Sequence, residues 1–583
     1  MSTTSCFCLL PSATIDQRPP RMQQREALNK NVSNSTSSAT QLNGNLPLVP
    51  RLSPNYRSST SEHNLVSSLA RERKVVSLQR MEALKNKVRL ILRSAANTSE
   101  MLSLVDAIQQ LGVAYYFEEE IGNILSCVRG NLLNDGMIKE LDLHDVSLAF
   151  RLLRQHGCYV SPGVFESFKD RKGSFKHELE QDVRGLLSLY EASFLGIDGE
   201  VSLHEARSFA TSQLQPFLEA STKVARALEQ PFHHSLAGFQ ARRYIQDCQD
   251  GEDCKHDILI ELAKLDCDYT QSLYRKELWE VSKWWKGLGL AEELGFIRDQ
   301  VLVWFMFPLS MLPEPHLSDC RLKITKVVAL IYTIDDIYDV RGSMEELHLF
   351  TEAVARWDLG FVHTLPAYLR TCFMALRDVT IEIQSHVQKR HGHNVYDKLK
   401  QVWATLTQAY MEEAKWKSTR FMPKTEEYLR NRVVSTGLPA ALVHVYYLMG
   451  FSEPKDGPVD ALHQREGLVW YSAMILRLWD DWGSTMDEQE RGYDASYIDC
   501  YMKEFGATEE EARKHVKQMI SSAWEKMNRE CLVLPTNPNP FPPSFARVAL
   551  NAARACPVMY QCEKDGRLLD LEEHIKMLLV DRI

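Results

Sequence analysis

From about Glu62 onward, apolar residues recur at intervals of three and four. Val75, Leu78, Met81, Leu84, Val88 and Leu92 fall on one face of a helix. Similar patterns run through Met101 to Leu111, Leu141 to His156, Phe175 to Tyr190 and Leu203 to Gln215. Gly and Pro punctuate them at Gly157 to Gly163 and Gly196 to Gly199. Alternating β-branched runs are few, so the predicted fold class is all-α. No repeat of fixed period appears, which argues against a solenoid.

The pattern divides the chain in three. Residues 1–60 are rich in Ser, Thr, Asn and Pro, bear Arg18, Arg21, Arg25, Arg51 and Arg57, and carry only Asp16 and Glu26 as acids. That composition predicts an organelle transit peptide or a disordered tail. Residues 61–256 form a first helical domain that ends in the charged, Cys-bearing linker Gln246 to His256. Residues 257–583 form a second domain with Trp284, Trp285, Trp304, Trp357, Trp403, Trp416 and every acidic cluster of functional interest.

A net charge of -9 gives no basic footprint, which argues against nucleic acid as a partner. The longest charge-free apolar run near the acidic residues, Val301 to Pro313, is interrupted by Pro308 and is too short to span a bilayer, so no integral membrane association is expected. The thirteen Cys show no CxxC pairs and read as reduced thiols. His233-His234 and His391-x-His393 have no partner at ligand spacing and read as surface or loop residues.

Two acidic motifs change the picture. The buried-looking run Val327 to Ile334 ends in Asp335-Asp336-Ile337-Tyr338-Asp339, and on a helix Asp335 and Asp339 stack one above the other. Such a cluster repels itself unless a cation joins it, and Mg2+ with substrate phosphates suits hard oxygen ligands. After the apolar run Leu468 to Leu476, Asp480, Ser484 and Glu488 are spaced i, i+4, i+8 and put two carboxylates and a hydroxyl on one stripe. Paired motifs in one domain point to a metal-bridged diphosphate site rather than to two solvated faces. A diphosphate also needs cations that do not titrate, for which Arg298 and Arg477 are the candidates. Trp304, Phe305, Phe307, Tyr332, Tyr338 and Trp479 could line an apolar pocket and face a carbocation, although most are expected to be core.

With Asp335 to Asp339, Asp480/Ser484/Glu488, Arg298-Asp299-Gln300, Trp284 to Leu290 and Cys500 to Glu504, the sequence resembles a plant class I terpene synthase over nearly everything after residue 60. The resemblance implies an N-terminal α-barrel-like domain without activity of its own and a C-terminal bundle binding three Mg2+ ions, with Mn2+ as a substitute. Asp335 and Asp339 would hold two ions, Asp480, Ser484 and Glu488 the third, and Asp336 would support the first motif. The Arg-Arg-x8-Trp motif usual in the family is absent at Arg51, Gln300 replaces a second Arg, Ser496 stands where many relatives carry a Lys, and Trp482 replaces the usual Leu. The first three resemble the linalool and nerolidol synthase subfamily. The expected activity is therefore ionisation of geranyl or farnesyl diphosphate, bound through Arg298, Asp335, Arg477 and Asp480 with Trp304 and Phe307 along the chain, then capture by water. A cyclising synthase, a prenyl-chain elongating enzyme and a silent isoprenoid-diphosphate-binding protein are the rivals. A monomer is expected, in the plastid, or in the cytosol if the leader does not function.

Overall fold

The computed structural model describes residues 77–132, 141–249, 257–452, 465–488, 496–534, 541–560 and 571–581; side chains of residues 131–132, 248–249, 484–488 and 572 fall outside that description, as does the expected transit peptide. The described residues form helices and no strand, with isolated bridges at Cys158–Val533 and Lys169–Phe175. None of their helices is long and apolar enough to cross a membrane.

Periodicity translates directly into helices where caps agree with it. Leu78–Ser94 buries Met81, Leu84, Val88 and Leu92, and Ser77 caps its N-terminus. Asn97 caps Thr98–Gln110, and Asp142 caps Leu143–Gln155. The expected helix Phe175 to Tyr190 does not form as one element. Phe175 bridges to Lys169 and His177–Leu179 makes a single tight turn, so the helix begins only at Val183, capped by Asp182. The expected linker is also shorter than its composition suggests, because Gln246 to Gln249 belong to the helix Ala237–Gln249; residues 250–256 lie outside the described residues.

Asp257–Leu288, 32 residues or about 48 Å long, ties the layers together. Leu259, Leu262 and Ala263 join the core formed by the first helices, whereas Tyr274, Leu278, Val281 and Trp285 enter the large core of the C-terminal bundle. In that bundle Ser318–Asp336 packs against Val301–Met311, Ala367–His391 and Leu438–Leu448, and Gly467–Glu488 packs against Thr425–Ser435, Leu438–Leu448 and Pro543–Tyr560. Two glycines make the approaches possible. Gly437 has φ +74, and a Cβ there would collide with Ile331; a Cβ at Gly483 would collide with the Tyr560 carbonyl.

The His233-His234 pair is not at the surface. His233 is 2% exposed, its Nε2 stands 2.8 Å from Asn528 Oδ1, and His234 stacks on Trp524 at 4.1 Å. The tight turn Phe232–His234 carries both rings into the joint with the C-terminal bundle.

His444 is fully buried, and burial pushes its pKa down to about 4 against the opposing bond from Nδ1 to the Ala440 carbonyl. The unfolded chain takes up a proton near pH 6.5 that the fold refuses, so this residue's stability contribution is intact above pH 6.5 and is lost as pH falls toward 4. Between pH 6.5 and 5 the loss is about 2 kcal/mol. Comparing unfolding of His444→Gln and wild type at pH 7 and pH 5 should show the gap between them shift by about that amount in the variant's favour.

Candidate active site

Burial of the apolar face of Ser318–Asp336, including Val327, Leu330 and Ile334, carries Asp335 and Asp336 into the bundle, where they are 6% and 4% exposed. The helix then widens into a π turn, Ile337–Arg341, closed by the Gly342 N–H on the Ile337 carbonyl at 2.9 Å. Asp339 therefore sits on a wider turn than the regular α spacing expected for it, and π turns of this kind recur at functional sites. Its backbone carbonyl accepts from Lys417 Nζ at 3.3 Å.

Arg298 reaches this cluster from the loop before Val301–Met311. Trp285 Nε1 donates to Asp299 at 2.8 Å and pins the loop. The Arg298 N–H donates to Asp336 Oδ2 at 2.7 Å and Nη2 donates to Asp335 Oδ2 at 2.6 Å; Nε stands 2.7 Å from Asp336 Oδ1, paired by charge but not in hydrogen-bond geometry. Burial pushes Asp336 up to about 6, although Arg298 pulls the other way. Burial also works against the Arg298 charge, but Asp336 and Asp335 more than offset it.

The second cluster repeats this arrangement. Arg477 Nη2 lies 2.6 Å from both Asp480 Oδ2 and Asp481 Oδ1. Tyr428 OH donates to Asp481 at 2.8 Å, and Tyr497 N donates to it at 3.2 Å. Behind them Arg432 Nη1 donates to Glu413 at 2.7 Å, and Arg432 Nε reaches Tyr428 OH at 3.4 Å. Burial raises Asp480, Arg477 opposes the rise, and the charges of Asp481 and Asp335 add to it. The influence of Asp335 on Asp480 places the clusters within electrostatic reach of each other. Tyr332 lies within electrostatic reach of both: burial pushes it up to about 12, with Arg298 opposing and Asp480 and Asp335 adding.

The structure thus brings Arg298 to Asp335 and Arg477 to Asp480. Ser484 and Glu488 continue the helix Gly467–Glu488, but their side chains lie outside the described residues. Trp304 is 1% exposed, packs edge-on to Trp285 at 4.8 Å and stands 6.2 Å from Tyr332; its Nε1 has no hydrogen-bond partner among the described residues. Phe307, one turn on, is buried in the same core. Tyr338 faces inward, with its hydroxyl 2.7 Å from Thr351 Oγ1. Ser496 closes a capping box with Asp499 at the start of Tyr497–Phe505. Sequence reasoning missed Asp481, Tyr428, Tyr560 and the Arg432–Glu413 pair. Only Asp481, adjacent to Asp480, carried a signal.

The donor set fits divalent metal. Four buried carboxylates, Asp335, Asp336, Asp480 and Asp481, share two guanidiniums in direct contact, and the excess negative charge calls for hard cations. Two buried acid–guanidinium clusters within electrostatic reach of each other could hold divalent metal and, with it, an anionic, phosphate-bearing molecule.

The comparisons give the family. Residues 286–526 match the metal binding domain of the terpene synthase family, and residues 55–236 match the terpene synthase N-terminal domain. An (E)-nerolidol synthase of Cannabis sativa is 40% identical over 507 residues, 85% of this chain and 91% of the relative. A chloroplastic S-(+)-linalool synthase of Arabidopsis thaliana is 40% identical over 492 residues, 82% of this chain and 84% of its own. Isoprene synthase from grey poplar leaves (Populus x canescens), solved with three Mg2+ ions and dimethylallyl-S-thiolodiphosphate, superimposes with a TM-score of 0.79 at 33% identity and covers 89% of this chain and 98% of its own. The chain belongs to the plant terpene synthase family, metal-dependent lyases that act on prenyl diphosphates.

Proposed function

We propose that the protein ionises geranyl or farnesyl diphosphate and that water captures the allylic cation at C3, giving linalool from the C10 substrate or nerolidol from the C15 one. The observation that carries the reading is the pair of neighbouring buried clusters in which Arg298 and Arg477 are held by carboxylates. Asp335, Asp339, Asp480, Ser484 and Glu488 would hold Mg2+, three ions in all, and the metal would supply Lewis-acid neutralisation of the diphosphate. Asp335 and Asp480 orient the two guanidiniums before substrate arrives. Each guanidinium then offers N–H groups to diphosphate oxygens, at about 1.5–3 kcal/mol per charge-assisted bond. The C1–O bond breaks with both electrons leaving on the diphosphate, and the water that attacks C3 loses a proton to complete the alcohol. Trp304 and Phe307 border the hydrocarbon chain, where an aromatic face contributes about 0.5–2 kcal/mol to a nearby cation.

Early capture by water is favoured by what the site lacks. Gln300 stands in place of a second arginine, and the Ser496 hydroxyl is committed to Asp499 at 2.6 Å. Fewer cations on the diphosphate shorten the time during which an isomerised chain can close a ring. In this reading residues 257–583 perform the chemistry, residues 61–256 support them, and residues 1–60 direct the protein to plastids, as the chloroplastic name of the linalool synthase relative supports. Incubating protein lacking residues 1–60 with each diphosphate and Mg2+, followed by chiral gas chromatography, should give one acyclic tertiary alcohol as the main product. Predominantly cyclic products would replace this reading with a cyclising synthase.

A further inference from the structure

A cavity of about 360 Å3 lies away from both acidic clusters, where the first helical layers meet the C-terminal bundle. Its volume is at the small end of ligand pockets. The wall is largely aliphatic, with Leu111, Leu236, Leu309 and Leu550, yet four guanidiniums, Arg154, Arg242, Arg547 and Arg554, meet only two carboxylates there, Asp266 and Glu314.

Most of these charges are matched. Arg154 pairs with Glu200 at 2.6 Å, and Arg547 lies 3.0 Å from Glu118 and 3.4 Å from Glu314. Asp266 accepts the Tyr115 and Tyr116 hydroxyls at 2.5 and 2.7 Å. Arg554 differs. Its Nε donates to the His233 carbonyl at 2.7 Å and Nη1 to Asn551 Oδ1 at 2.8 Å, while Nη2 is 3.5 Å from His233 Nδ1; no carboxylate pairs with it among the described residues. Burial pushes its pKa down to about 10, the mark of a cation without a counter-charge. Among the described residues Arg242 donates only to the Asp581 backbone carbonyl, at 3.2 Å, and burial lowers it too, with Asp581 and Asp268 opposing.

His574 belongs to the same wall. It is 1% exposed, and burial pushes its pKa down to about 4, so the ring is neutral. Ser310 Oγ donates to the Met306 carbonyl at 2.9 Å and is therefore left to accept from His574 Nε2 at 3.2 Å. That fixes the proton on Nε2 and leaves Nδ1 an acceptor buried out of reach of the cavity, so the ring adds no charge to compete with Arg554.

We propose that this cavity binds a small organic carboxylate with an apolar body, its head on Arg554. The ligand bridges the two helical layers, since Leu111 and Arg154 belong to the first and Leu309, Arg554 and His574 to the second.

Calorimetric titration of the full chain without substrate tests this, with 4-hydroxycinnamate, cinnamate, cinnamyl alcohol and inorganic phosphate as probes. Cinnamate and 4-hydroxycinnamate are expected to bind through the carboxylate, with cinnamyl alcohol and phosphate each at least about tenfold weaker. Arg554→Gln should cost at least about tenfold in carboxylate affinity. Because Arg554 also holds the His233 carbonyl, Leu550→Trp serves as the second variant: it fills the space, leaves every polar partner in place, and should abolish binding with turnover unchanged. No binding of any probe by about 10 mM, a weak limit on the affinity scale, overturns the proposal. So does binding that survives Leu550→Trp, or an alcohol or a phosphate that binds as tightly as the carboxylates.

Discussion

Asp480→Asn is expected to lower turnover at saturating Mg2+ by about 100- to 1,000-fold while leaving the metal-free protein at least as stable as wild type. The opposite signs follow from one arrangement. Asp335, Asp336, Asp480 and Asp481 crowd two guanidiniums in a buried site, so removing one negative charge relieves repulsion. Arg477 keeps its bond to Asp481, and Tyr428 and Tyr497 continue to hold Asp481 in place. On the proposed function, what would be lost is a metal-binding carboxylate and the charge that orients Arg477. Stability is set against activity here, as at many sites assembled for charged ligands. Asp335→Ala should behave alike, with Arg298 retained by Asp336. Magnesium titration followed by calorimetry should show apparent affinity weakened by about 10- to 100-fold in either variant. Wild-type turnover in Asp335→Ala, or a large fall in metal-free stability in Asp480→Asn, would sink the assignment.

The acidic residues were legible in the sequence because each follows an apolar run whose periodicity requires burial. A carboxylate at the end of a buried face needs a cation, and that inference requires no coordinates. Legibility failed wherever the partner is distant along the chain. Nothing about His233 indicates Asn528, and nothing about Tyr332 indicates Tyr560, because tertiary packing alone joins them. Periodicity also overran local turn chemistry: Phe175 and Leu179 fit a helical face, but the turn at Gly173, with φ +83, folds Phe175 back onto Lys169 before a helix can begin. The π turn at Ile337–Arg341 carries no compositional mark at all, and there the regular spacing of Asp335 and Asp339 was an idealisation.

The largest expected loss of stability lies at the far end of the helix that carries Asp335. Arg321, with no exposed surface, makes two 2.7 Å bonds to Glu277 through Nε and Nη2, and its Nη1 donates to the carbonyls of Leu312 and Glu314. The pair joins Asp257–Leu288 to the first turn of Ser318–Asp336, the helix that ends in Asp335. Arg321→Met leaves the Glu277 carboxylate buried without a partner and should cost about 3–5 kcal/mol. Adding Glu277→Leu removes the stranded charge and should recover much of that loss. Recovery should stop short of wild type, because the Leu312 and Glu314 carbonyls still lack their donor, at about 1–3 kcal/mol for an unsatisfied buried group. Denaturant unfolding of both variants beside wild type tests the ordering, wild type above the double variant and the double variant above Arg321→Met. If Arg321→Met alone were as stable as the double variant, the carboxylate would not depend on Arg321. The helix carrying Asp335 would then owe its position to packing against Val301–Met311, Ala367–His391 and Leu438–Leu448.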